Sequence, residues 1–374
     1  MTSPHQSSQG VDSLDQNSQG QDWQAQLTQR HHLYGGPICD GVIRQQASDF
    51  IVIENLDFEA FGSGEHDWLI IRKTNFNSQS VADYLARIAN VARSAVSFAG
   101  MKDNRAVTTQ AFTVWRPQGT KGASVDYAAK LPAEMEVLVQ DKHNKKLKRG
   151  SHRSNTFKLR VENVPGEYES ELGERLALIR EKGVPNYFGA QRFGRAAQNL
   201  EQVSTMFRQG SKGISRPLKS ILLSSARSYL FNELVSNRIA EKRFAKVEQG
   251  EWLNLQGTAS VFVSTEEDAQ RMVELDVHPT APMWGKGVDK WRDKAPDQIA
   301  WEDQILEPFE LFRDGLERFG LEYQRRPIRT KINELNWSFG PSETVGNQVC
   351  ELEFTLQRGQ FATSVLRELF NGIE

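Results

Sequence analysis

Strand-like sequence lies at both ends of this chain, and helix-like sequence lies between them. Phe50-Ile-Val-Ile-Glu54 is rich in β-branched residues and reads as a strand, as do Gly41–Arg44, His66–Arg72, Val96–Ala99 and Gln110–Trp115. Phe157, Leu159 and Val161 alternate with Thr156, Lys158 and Arg160, the pattern of a half-buried strand with a basic outer face. Ser78 is placed to cap a helix carrying Val81, Leu85 and Ile88, and Tyr168–Glu181 reads as a second helix that stops at Gly183 and Pro185. From there the texture is helical with polar linkers. Gly250–Val263 reads as strand or loop, and 276–304, rich in Pro, Trp and charge, reads as loop. Alternation returns at Cys350, Leu352, Phe354 and Leu356, and Phe361–Phe370 reads as a closing amphipathic helix. The expected fold is therefore α+β. A domain with a mixed, mainly antiparallel sheet spans 33–182 and 336–374, and a mostly helical insertion occupies 183–335. The first 30 residues hold eight Gln and five Ser, so residues 1–32 are expected to be a disordered extension.

Several classes are excluded early. No apolar run approaches the roughly 20 residues that a membrane helix needs, and the N-terminus has no secretory-signal pattern. The two cysteines, Cys39 and Cys350, cannot make a disulfide framework, which fits a reducing cytoplasm. Seven histidines form no HxxxH or HExxH pattern, so no metal is expected. Gly62-Ser-Gly64 and Gly285-Lys-Gly287 complete no nucleotide loop and read as turns.

Charge is distributed unevenly. The chain totals −2, yet Lys142 to Arg160 holds eight Lys or Arg and no Asp or Glu. A second acid-free stretch, Gln202 to Asn232, carries Arg208, Lys212, Arg216, Lys219 and Arg227. Stripes of this kind attract polyanions, and they also occur as plain solvated faces.

Two short segments carry candidate chemistry. In Phe98-Ala-Gly-Met-Lys-Asp-Asn-Arg-Ala-Val-Thr-Thr-Gln110 a strand ends at Gly100, and Lys102-Asp103 follows before the next strand. Gly100 permits an unusual backbone angle or a close approach. Lys102 favours an ionised neighbouring carboxylate, so Asp103 reads either as a fixed carboxylate at a pocket lip or as a turn cap. Gly183-Val-Pro-Asn-Tyr-Phe-Gly-Ala-Gln-Arg-Phe-Gly194 is dense in aromatic and glycine residues, suited to stacking on bases or to tight packing.

Taken in order, Gly-Met-Lys-Asp-x-x-Ala-Val-Thr-x-Gln, the basic run ending Asn155-Thr-Phe157, Val-Pro-Asn-Tyr-Phe-Gly-Ala-Gln-Arg-Phe-Gly and Gly359-Gln-Phe-Ala-Thr-Ser-Val-Leu-Arg-Glu-Leu369 resemble the TruD family of tRNA pseudouridine synthases. The resemblance covers roughly residues 35–370. It implies a pseudouridine-synthase catalytic domain interrupted by a family-specific insertion, and an isomerase that converts uridine 13 of tRNA to pseudouridine without cofactor or metal. It implies tRNA as partner, with no membrane and no DNA, and a monomer in the cytoplasm. It makes Asp103 the catalytic nucleophile, an ionised carboxylate beside the ribose that either attacks C1′ or removes a ribose proton, and puts Phe50, Asn155, Phe157 and Phe361 around the uracil, with Lys102 and Arg44 beside them. Where the family often has Lys, this chain has Arg44; a role in charge balance survives that change and a role as proton donor does not.

The implied chemistry is physically coherent. The N1–C1′ bond breaks, the base turns, and a C5–C1′ bond forms, so the base must first leave the folded RNA and be gripped. Aromatic faces can stack on it and Asn155 can hydrogen-bond its edge. Two readings from other classes compete. One is a catalytically silent RNA-binding or RNA-chaperone module. The other is a carboxylate glycosidase, which needs a second carboxyl about 5–10 Å away.

Overall fold

The computed structural model describes residues 22–102, 104–117 and 124–373. Its frame is an eight-stranded sheet. In chain order the strands are β1 (Phe50–Asn55), β2 (His66–Thr74), β3 (Val96–Phe98), β4 (Val107–Trp115), β5 (Met135–His143), β6 (Ser154–Pro165), β7 (Asn333–Pro341) and β8 (Asn347–Gln357). They lie in the order β7-β8-β6-β1-β4-β2-β5, with β3 paired to β4. Only β1 and β4 run parallel; the other pairs are antiparallel. The α+β class and the mixed, mainly antiparallel sheet are thus as expected.

β6 shows how sequence pattern becomes architecture. Asn155, Phe157, Leu159 and Val161 are buried, and Phe157, Leu159 and Val161 join a core with Phe354, Leu352, Leu356 and the Glu169–Lys182 helix. Lys158 and Arg160 do point outward. However, β8 sets Glu353 opposite Lys158 and Glu351 opposite Arg160, with N···O distances of 3.0 and 3.1 Å. Lys142 likewise meets Asp67 at 2.5 Å. Acids distant in sequence therefore pair with both ends of the basic run, a cross-strand effect beside the local pair of Arg160 with Glu162 at 2.6 Å.

Between β6 and β7 the chain builds a helical body around the 25-residue Arg216–Ala240 helix. The Gln198–Gln209 and Glu310–Arg318 helices pack so closely that a Cβ on Gly315 would fall 2.3 Å from the Phe207 ring. This body also holds a four-stranded sheet that includes Trp252–Leu255 and Val261–Val263.

Several local expectations need correction. Gly41–Arg44 is not a strand: Arg44 adopts φ 60°, and only Val42 makes an isolated bridge, to Glu162. Asn77, not Ser78, caps the Ser78–Ala89 helix, its side chain accepting from the Ser80 N–H. Residues 276–304 are not loop throughout; they contain the Val277–Met283 strand and most of the Pro296–Leu306 helix. The closing helix is only Ala362–Leu366, because Phe370-Asn371 turns to pair with Cys39-Asp40.

Of the stretch expected to be disordered, residues 1–21 lie outside the described residues, and residues 22–32 are packed on the protein. Trp23–Thr28 is helical, and Trp23 is buried, stacked on Phe312 at 5.4 Å and edge-on to Tyr229 at 5.2 Å. A single large aromatic offsets the ordering entropy of a polar segment. Trp23→Ala should therefore cost about 3–5 kcal/mol of stability, the usual range for a buried Trp or Phe. Chemical denaturation of the two proteins checks this; equal stabilities would mean that the segment is not part of the core.

Candidate active site

Two adjacent strands and one loop assemble the site. β1 and β6 pair so that Glu54 faces Asn155 and Val52 faces Phe157. Glu54 shares the buried side of β1 with Phe50 and Val52, an unusual place for a carboxylate. Lys102 explains it: its Nζ lies 3.0 Å from Glu54 Oε2 and donates to Asn155 Oδ1 at 2.6 Å. The Lys102 and Glu54 side chains are 6% and 0% exposed, so each charge depends on the other. The ammonium can only donate, so it fixes the Asn155 oxygen toward itself and turns the amide nitrogen away.

The loop that brings Lys102 inward is held by buried hydrogen bonds. The Lys102 N–H donates to Ser78 Oγ at 2.9 Å, and Ser78 Oγ donates to Gln110 Oε1 at 2.7 Å. Gln110 Nε2 closes the circuit on the Gly100 carbonyl. Ser78 thus uses its hydroxyl on the loop, which is why it does not cap its helix. Of the two roles open to Gly100, the structure has the close approach: a Cβ there would lie 3.2 Å from His152 Cε1. Burial, and next the Lys102 charge, lower the His152 pKa, so this imidazole is neutral at neutral pH. Asp103, the expected nucleophile, lies outside the described residues.

Arg44, Phe50 and Phe157 lie together. The Arg44 guanidinium carbon sits 4.0 Å from the Phe50 ring centre, and Phe50 meets Phe157 edge-on at 6.2 Å. Phe157 also stacks on Phe354 at 5.6 Å and is 8% exposed, so it is at least in part a core residue. Phe361 belongs to a different group. It is half-buried against Phe188 at 5.7 Å, at the edge of the core of the helical body.

The aromatic-glycine segment packs. Tyr187, Phe188 and Phe193 are buried, and Phe188 exchanges backbone hydrogen bonds of 2.9 and 2.8 Å with the Asn232 amide. A Cβ on Gly189 would fall 2.8 Å from Thr363 Oγ1. That close approach, with the Ser364 hydroxyl donating to the Tyr187 carbonyl, docks the segment after Phe361 onto the helical body. Arg326 lies 4.4 Å from the Phe188 ring centre and donates to the Gly359 carbonyl and to Asn186, each at 2.7 Å. Burial, and then the nearby Arg192 charge, lower the Arg326 pKa to about 9.

Sequence reasoning missed Glu54, Ser78, Gln110 and Arg326. The signal for Glu54 was present, since strand alternation put a carboxylate on the apolar side. Gln110 closed the family motif without a reason attached, and its bond to Gly100 supplies one.

The comparisons decide the family. The model for tRNA pseudouridine synthase D (TruD) matches residues 26–211 and 195–369. The chain belongs to the TruD family. It is 40% identical over 351 residues to a tRNA pseudouridine synthase D of Aeromonas hydrophila, covering 93% of this chain and 96% of that one. A tRNA pseudouridine synthase D of Nitrosococcus oceani is 38% identical, covering 90% and 92%. A solved structure from Methanosarcina mazei that carries the TruD name shares the fold, with a TM-score of 0.69 at 21% identity and 93% of this chain covered.

Glu54→Gln or Lys102→Met alone leaves one buried charge unmatched and should cost about 3–5 kcal/mol. The double substitution should cost clearly less than the sum. Urea denaturation of the four proteins forms the cycle; additive losses would mean that the two groups are not coupled.

Proposed function

We propose that this chain, a tRNA pseudouridine synthase by family, converts uridine 13 of tRNA to pseudouridine as a cytoplasmic monomer, with Asp103 as nucleophile. The observation that carries the reading is the buried Lys102–Glu54–Asn155 constellation, held by Ser78 and Gln110 immediately before Asp103. A loop serving only as a turn does not need a buried ion pair and two buried hydrogen-bonding side chains to hold it.

In this mechanism the target uridine leaves the RNA stack. The Asp103 carboxylate attacks C1′ as the N1–C1′ bond breaks. The freed uracil turns and C5 attacks C1′, releasing Asp103; the C5 proton is then lost and N1 gains a proton. Asn155, its oxygen engaged by Lys102, offers its amide N–H groups to a uracil carbonyl. Phe361 offers a ring face, and Arg44 balances charge from beside Phe50. Preorganisation would supply the advantage at Asn155, whose oxygen Lys102 holds before substrate arrives.

Pseudouridine mapping on a tRNA transcript with uridine at position 13 tests the assignment. Asp103→Asn keeps the shape and removes the charge. Turnover should vanish while tRNA affinity stays largely intact, since phosphate contacts supply most of that affinity. Activity of the variant within about tenfold of the parent, above the losses usual for a removed nucleophile, would reject Asp103. Modification at another position, with none at 13, would reject the site assignment.

The two phenylalanines should separate. Phe157, stacked in the core, should cost about 3–5 kcal/mol on truncation to Ala. Phe361→Ala should cost much less stability while turnover falls at least roughly tenfold, the scale of one lost base-stacking contact. Thermal melts paired with single-turnover rates check both. A large loss of stability with a normal rate for folded Phe361→Ala would return Phe361 to the core.

A further inference from the structure

A second concave surface lies apart from the candidate active site. It is a cavity of about 1170 Å³, lined by the loop after β1, by Ser97 and Phe98 of β3, and by the 144–151 segment. Arg44, Phe50, Asn155, Phe157 and Phe361 do not line it. Its volume exceeds the roughly 300–1,000 Å³ of a pocket for a drug-sized ligand.

Its lining joins exposed aromatic surface to a cluster of exposed cations. Phe61 is 64% exposed, yet its backbone is held: the Phe61 and Gly62 N–H groups both donate to the Lys142 carbonyl, at 3.1 and 2.9 Å. Gly64 lets this loop press on β5, since a Cβ there would fall 2.4 Å from the His143 carbonyl oxygen. Behind it Phe58, Trp68 and His143 form an aromatic ladder with centroid spacings of 4.9 to 5.9 Å.

The middle of the basic run also lines the cavity. Leu147 is buried and its N–H donates to Thr113 Oγ1 at 3.1 Å, while the Gly150 N–H donates to the Ala99 carbonyl at 2.7 Å. Those two anchors hold Lys145, Lys146, Lys148 and Arg149 exposed around the rim. Unlike Lys142, Lys158 and Arg160, these four have no ion pair among the described residues. Positioned aromatic faces beside unmatched cations are what a single-stranded polynucleotide binds, because its bases have free faces and its phosphates track the charge. Duplex stems stack their bases internally and cannot use Phe61.

We propose that this cavity seats an unpaired stretch of the substrate RNA, with a base on Phe61 and phosphates on Lys145, Lys146, Lys148 and Arg149. The proposal rests on the reading of the chain as an RNA-modifying enzyme. It adds a second RNA contact, whose lining includes none of Arg44, Phe50, Asn155, Phe157 or Phe361. The enzyme would thereby read a structural feature of its RNA beyond the uridine that reacts.

The test uses the full chain and one tRNA transcript with uridine at position 13, following binding and conversion together. Phe61→Ala should weaken binding and raise KM roughly five- to tenfold, the loss of one stacked base, with an unchanged salt slope and melting temperature. Lys145→Gln/Lys146→Gln/Lys148→Gln should lower the slope of log K against log salt by about two to three. An unaltered slope in the triple variant overturns the phosphate seat. A reduced slope with no effect of Phe61→Ala identifies a duplex backbone instead and overturns the single-strand assignment. If the unaltered enzyme fails to convert the transcript while these binding effects hold, the functional reading fails and the RNA seat stands.

Discussion

Everything in this molecule depends on β8 pairing with β6. The register runs from Asn347 opposite Pro165 to Gln357 opposite Ser154, joining segments separated by the whole helical body. That pairing stacks Phe354 on Phe157, places Glu351 and Glu353 opposite the outward cations of β6, and closes one side of the strand that carries Asn155. The loop-closure cost of joining distant strands grows only slowly with loop length, so a large insertion is tolerated between them. The segment between them then builds a core around Trp284, Tyr229 and Phe312, which Trp23 joins.

The candidate site uses this frame to hold charge where charge is costly. Lys102 and Glu54 are both removed from water, and a loop placed by chance could not keep them matched. The circuit through Ser78, Gln110 and Gly100 ties that loop to a helix and to β4, so a shift in either element is felt at Lys102. Rigid support of this kind matters to a reaction in which bond breaking and re-formation occur at one ribose carbon, since small displacements there are costly in rate.

Aromatic residues serve packing in one segment and remain at the surface in another. Most of Val184–Gly194 is buried, and it joins the helical body to the segment that follows Phe361 through Gly189, Tyr187 and Asn232. Aromatic density there mainly reports an interface between two parts of one chain. The aromatic surface left exposed beside free cations is elsewhere, at Phe61, in a segment that the family pattern did not point to.

The sequence by itself determined the strand alternation of β1, β6 and β8, the α+β class and the family, because side-chain period and motif order are local properties. It also exposed Glu54 on an apolar strand face, although nothing local named its partner. Only the tertiary structure decided which charges remain free. Lys142, Lys158 and Arg160 look the same in sequence as Lys145 and Lys146, and acids brought from Asp67, Glu353 and Glu351 separate them. Likewise Ser78 reads as a helix cap until the fold places Gln110 and Lys102 beside its hydroxyl. Trp23 is an isolated aromatic in a polar tail until Tyr229 and Phe312, some two to three hundred positions away, give it a pocket. In each case the energy comes from a group distant along the chain, and a local pattern carries no information about which group that will be.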